Sequence, residues 1–183
     1  MNNHYSFIGG TEGPWRVTGC EAVVGAPLDT VERVNVLNVP SCNLDQRGIW
    51  VLQGFTSNVR YAERHEIDRL RAKQEGLNRP TSLCAALIPI RKSPEWWAMS
   101  QDERREIFES QSHHTEIGLN YLPEIARQLH HCRDLGEPFD FLTWFEFAPE
   151  HTSAFNKLVA QLRASNEWDF VEREVDIRLV KDV

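Results

Sequence analysis

Two histidine pairs, His113–His114 and His130–His131, flank a single Arg127 in the stretch "SQDERREIFESQSHHTEIGLNYLPEIARQLHHC", from Ser100 to Cys132. Imidazole titrates near neutral pH and is the commonest nitrogen ligand of metals. Guanidinium stays charged at any working pH, so an arginine can hold an anion but cannot accept a proton. By type and spacing alone these residues amount to a cationic spot on a soluble α+β protein. Each part also has a plainer reading. A histidine at a helix end serves as a cation near the negative end of the dipole. The "HHC" run at 130–132 on a strand cannot bring three side chains to one metal, because neighbours point to opposite faces. Trp96 and Trp97, just upstream, are equally a core or interface pair.

The elements around these residues sharpen the choice. Ser100 and Glu103 stand in capping-box spacing, which predicts a helix over 101–114. On it Ile107 and His114 share a face, and His113 points about a quarter turn away. "EIARQLHHCR" alternates as a strand, with Ile125, Arg127, Leu129 and His131 on one side and Ala126, Gln128, His130 and Cys132 on the other. An arginine among apolar neighbours requires a counter-charge or a polar cavity. The turn "DLGEP" and the alternating "FDFLTWFEFAPE" complete a hairpin. A strand at 82–92 precedes the helix, Pro89 marking a bulge or edge. The segment 150–165 predicts an amphipathic helix with Phe155, Leu158, Val159 and Leu162 inward. A final strand, "FVEREVDIRLV", carries Val171, Val175, Ile177 and Leu179.

This order, strand-helix-strand-strand-helix-strand, is the α+β ferredoxin-like βαββαβ unit. Residues 1–78 read as a trimmed copy of it, and 79–183 as the complete one. In the first part, residues 5–24 predict two short strands, 25–48 a long irregular connection, "IWVLQGFTSNVRY" a strand, and "AERHEIDRLRAKQEG" a helix with Ile67, Leu70 and Gln74 on or near one face. A sheet covered by helices on one side leaves its other face to be covered by a second sheet, a partner subunit or a bulky ligand.

The whole chain has 183 residues, 41% of them hydrophobic and 26% charged, with a net charge of −7. That composition is ordinary for a globular protein, and the acidic balance without basic stripes argues against nucleic acid. No apolar run approaches bilayer length, and "MNNHYSFIGG" lacks the pattern of a signal peptide, so the chain reads as cytoplasmic with no membrane partner. Cys20, Cys42, Cys84 and Cys132 are too dispersed for a disulfide framework or a structural zinc site.

Four separated motifs, "KSPEWW", "DERREIFESQSHH", "YLPEIARQLHHCRDLGEPFDFLTWFEF" and "NEWDFVEREVDIRLV", resemble the haem-binding segment of the chlorite dismutase family. The likeness covers residues 83–180. It implies a dimeric α/β barrel of the small lineage, whose N-terminal ferredoxin-like half is truncated and whose subunits pair as homodimers around haem b. By resemblance, His114 is the proximal iron ligand and Arg127 the distal arginine. Glu167 is the carboxylate on the ligand's other ring nitrogen, and Lys92 is a proximal lysine. Trp96 and Trp97 are aromatics beside the haem, and Gln74 restrains the arginine. The implied reaction converts chlorite to chloride and O₂ through Cl–O cleavage, ferryl haem and recombination with hypochlorite. A carboxylate on the imidazole raises its basicity and favours oxidised iron, and a fixed cation in a dry pocket holds chlorite and then hypochlorite.

Three other readings remain. A coproheme decarboxylase of the same fold places a tyrosine before a proline and commonly a glutamine at the distal position; here Ile88 precedes Pro89 and Arg127 stands at the distal position. A haem peroxidase of the same fold would use the arginine on peroxide. A non-enzymatic binding protein of the dimeric α/β-barrel type would take up no stoichiometric haem.

Overall fold

The computed structural model describes residues 3–40, 48–56, 64, 68, 72, 73 and 75–182. Eight strands carry the architecture: β1 (His4–Gly10), β2 (Trp15–Val24), β3 (Arg33–Leu37), β4 (Trp50–Phe55), β5 (Cys84–Lys92), β6 (Ala126–His131), β7 (Phe141–Phe147) and β8 (Val171–Lys181). They close into a barrel in the order β1-β3-β2-β8-β5-β7-β6-β4, and every pairing is antiparallel. Read around the ring, the first four strands follow the order β4-β1-β3-β2 and the last four β8-β5-β7-β6. Each half therefore places its fourth strand beside its first, then its third, then its second. The face that the sequence left in need of a cover is covered by the sheet itself, because the two halves curl onto one another.

Seven strands give the barrel interior its apolar side chains: Phe7, Trp15, Val34, Leu52, Ala85, Leu87, Leu142, Trp144, Val175, Ile177 and Leu179 belong to one buried cluster. A second cluster lies on the outer face of β5 and β7, where Ala86, Ile88, Ile90, Phe145 and Phe147 meet Phe155, Leu158, Val159 and Leu162 of a helix over Thr152–Arg163. Those four helix residues are the ones its periodicity turns inward. Burial on both faces explains why "CAALIPI" reads as a continuous apolar run instead of an alternation.

Three further helices lie between β5 and β6: α1 (Pro94–Ala98), α2 (Gln101–Arg105) and α3 (His114–Leu119); the helix over Thr152–Arg163 is α4. Among the described residues no helix is long and apolar enough to cross a membrane.

Several local expectations are corrected. The connection 25–48 contains a strand, β3, whose Val34 is fully buried against the barrel interior. Pro89 lies on no edge, since β5 sits between β7 and β8. The β5–β8 ladder instead skips residues 88 and 89, resuming at Ile90↔Glu174 in the same register, so the missing N–H falls in a gap. The helix expected over 101–114 keeps its capping box, with the Ser100 N–H donating to Glu103 Oε2 at 2.7 Å. It does not continue to His114. After Arg105 the backbone widens into a π-helical segment, Glu106–Gln111, and then reverses at His113, which is left-handed at φ 51°.

Candidate haem-ligand and anion site

The break at His113 decides where His114 points. His114 is the first residue of α3, and the left-handed residue before it turns the new helix off the line of the old one. Thr115 N–H, otherwise unsatisfied at the start of a helix, donates to Glu109 Oε2 at 3.0 Å. Phe108 stacks on the His114 ring with centroids 4.3 Å apart and 21° between planes. The imidazole is thus held on one side by a ring from the π-helical segment and from behind by a capped backbone.

His114 Nδ1 lies 2.7 Å from Glu167 Oε2. A carboxylate only accepts, so Nδ1 carries the proton and the lone pair of a neutral ring is on Nε2. Glu167 is buried in a short 3-10 turn before β8 and is pinned from three directions. Its second oxygen, Oε1, accepts from Lys92 Nζ at 2.7 Å, and its backbone N–H donates to Ser112 Oγ at 2.9 Å. Burial pushes its acidity toward higher pKa, but the Lys92 ammonium and the hydrogen bonds from His114 and Lys92 overcome this and hold the carboxyl below the usual range. Alternation along β5 sets Lys92 on the same outer face as Ile88 and Ile90, and β8 bulges at Glu172 opposite the Arg91–Lys92 step. Arg91 is exposed and paired with Glu172, while Lys92 is buried with its ammonium 4.5 Å above the Trp96 ring.

Trp97 belongs to a neighbouring cluster. Its Nε1 donates to Asp140 Oδ2 at 3.0 Å, its ring stacks with Phe141, and the Arg133 guanidinium lies 4.0 Å above it. Asp140 Oδ2 also accepts the Lys92 N–H at 2.7 Å, which couples the two clusters through the end of β5.

Arg127 sits opposite Phe145 in the β6–β7 ladder, and directly opposed residues share a face. It therefore projects to the helix side of the sheet, toward α3, while His130, opposite Leu142, projects into the barrel. Its guanidinium lies against the α-carbon of Gly118. Gly118 follows His114 by four residues on one helix face, about 6 Å of rise. Desolvation lowers the Arg127 pKa to about 10, so the group remains cationic at neutral pH. Ile88 is buried in the outer cluster opposite Thr143. Gln74 lies outside the described residues. His131 packs against Phe55 and Phe141, away from His130, which packs against Tyr5 and Phe7.

The chlorite dismutase family model matches residues 47–182. The chain belongs to the chlorite dismutase family. The crystal structure of a dimeric chlorite dismutase from Nitrobacter winogradskyi is 51% identical, covers 97% of this chain and 99% of that one, and superposes with a TM-score of 0.91. A chlorite dismutase variant from Candidatus Nitrospira defluvii is 26% identical over 73% of this chain and 55% of that one, with a TM-score of 0.61. A chlorite dismutase of Ideonella dechloratans is 33% identical over 78 residues; that match spans 25% of its length and 43% of this chain.

Ser112, Glu109, Phe108 and Gly118 do not stand out in the sequence. The first three depend on the π-helical segment and the reversal at His113, which no helical periodicity reveals. Gly118 did leave a signal: a lone glycine inside a helix, one turn after the histidine.

Proposed function

We propose that this chain is a haem b-dependent chlorite dismutase that converts chlorite to chloride and O₂. The observation that carries the proposal is the His114–Glu167–Lys92 chain, which leaves Nε2 as the free donor of a fixed, half-buried imidazole. A single imidazole donor backed by a buried carboxylate is the kind of ligand that would hold a haem iron. The residues present therefore fit the group: His114 would ligate it, Trp96 would pack near it, and Arg127 would lie on the substrate side. When bound, haem supplies the iron at which the Cl–O bond of chlorite is cleaved.

The rest is the work of side chains. Glu167 keeps the His114 tautomer and orientation constant, and Lys92 keeps Glu167 ionised. Arg127 supplies a permanent positive charge that attracts chlorite and retains hypochlorite until its oxygen is delivered into O₂. The reaction ClO₂⁻ → Cl⁻ + O₂ balances without uptake of a proton, which suits an arginine that cannot exchange one. The decarboxylase reading lacks its phenol, since Ile88 precedes Pro89.

The 51% identity to a dimeric protein supports a homodimer. The matching strand orders of the two halves support a reading as two ferredoxin-like units, 1–78 and 79–183. Gln74 keeps its role as a restraint on Arg127 by family resemblance alone.

The test uses haem-loaded protein, an absorption spectrum and an oxygen electrode. His114→Ala is expected to lose most haem on gel filtration. Arg127→Ala is expected to keep haem but release hypochlorite and yield less O₂, by roughly the 10²-fold or more that one preorganised charge contributes. An Arg127→Ala protein as fast and as durable as the parent would refute the role given to the arginine.

A further inference from the structure

Gly118 is a buried glycine inside α3. Glycine is among the poorest residues in a helix, so its presence asks for a reason. Backbone conformation is not the reason: the glycines with positive φ are Gly13, Gly25 and Gly136, and Gly118 is helical. Space is the reason. A Cβ at residue 118 would overlap Nη1 and Nη2 of Arg127 and sit 2.6 Å from its Cζ, and these three are its nearest neighbours.

We propose that Gly118 is a positioning residue for the Arg127 cation: the missing side chain is the berth in which the guanidinium lies. The inference rests on the anion-holding role assigned to Arg127 above. What would collide is the far end of a flexible side chain, so a methyl group at 118 moves the arginine and leaves the fold standing. Position 118 thereby sets how near the charge lies to the helix that begins with His114.

Four haem-loaded proteins test this: the parent, Gly118→Ala, Arg127→Ala and the double variant. Each is titrated with fluoride as the small anion and melted in parallel. Gly118→Ala is expected to weaken fluoride binding roughly tenfold, the worth of one charge-assisted hydrogen bond. The double variant should bind no more weakly than Arg127→Ala alone. On the Arg127→Ala background, alanine at 118 meets no guanidinium and should raise the melting temperature by roughly 2–4 °C; on the parent background the gain should shrink or vanish.

If Gly118→Ala weakens fluoride by the same factor with and without Arg127, or leaves the parent unaffected, the positioning role is overturned. If Arg127→Ala itself leaves fluoride binding unchanged, the anion role of Arg127 falls. The two melting shifts then decide the berth separately, equal gains overturning it and unequal gains supporting it.

Discussion

At the scale of residues, Glu167 is the pivot, because its two carboxylate oxygens accept from the ring of His114 and from the ammonium of Lys92. Its side chain and that of Lys92 are only 6% and 3% exposed, so neither charge has water to fall back on. Removing one partner of such a pair costs about 3–5 kcal/mol, mostly because the other is left buried and uncompensated. Glu167→Gln is therefore expected to lower the unfolding free energy by about that much in a urea titration at neutral pH. Lys92→Met combined with Glu167→Gln should be milder than either change alone, a non-additivity that a simple loss of packing would not give.

At the scale of elements, the decisive piece is the run from Gln101 to His114, which the sequence presents as one helix and the structure divides into α2, a π-helical segment and the first residue of α3. The capping box was legible because it is local and chemical. The π-helical widening and the left-handed His113 were not, since both are imposed by what packs behind them: the Glu109 cap on Thr115 and the Ser112 contact with Glu167. His114 was identified through family resemblance with its helical context reversed; it opens a helix where periodicity had it close one. The α4 helix was legible in full, since four apolar positions at helical spacing face a continuous apolar sheet. Less visible was how its polar side is secured. Arg163 donates to Glu174 Oε1 at 2.6 Å and to Asp176 Oδ2 at 2.9 Å, both carboxylates being buried on β8. Burial raises the Asp176 pKa, but its bonds to Arg178 and Arg163 win and hold it below the usual range. Arg163→Met should leave Glu174 without its cation and cost about 3 kcal/mol, readable as an earlier urea midpoint.

At the scale of the molecule, strand positions were largely legible from alternation, but closure was not, because no single strand records which partner lies across its open edge. The interior that closure creates has its own pH dependence. His130 is inside the barrel, its Nδ1–H donating to the Leu142 carbonyl at 3.1 Å and its ring set edge-on to Tyr5 and Phe7. Its Nε2 is buried with no hydrogen-bond partner among the described residues. Burial lowers its pKa to about 4, with the neighbouring His131 acting the same way and the Leu142 bond opposing. Between that value and the unfolded value of about 6.5 the unfolded chain binds the extra proton, so stability falls as pH drops through this window and is whole above it. The loss at pH 5 relative to pH 7.5 should be about 2 kcal/mol from this residue, and His130→Phe should remove most of that difference in urea titrations at the two pH values. The ring also closes unevenly. β2 and β8 are registered from Trp15↔Lys181 to Val24↔Glu174, whereas β2 and β3 share two registered pairs, Trp15↔Val34 and Arg16↔Arg33. A hoop welded along one joint and tacked at another gives way at the tack. Deuterium should reach the amides bonded across β2 and β3 well before those bonded across β2 and β8, so the route by which this protein first loosens opens between its second and third strands.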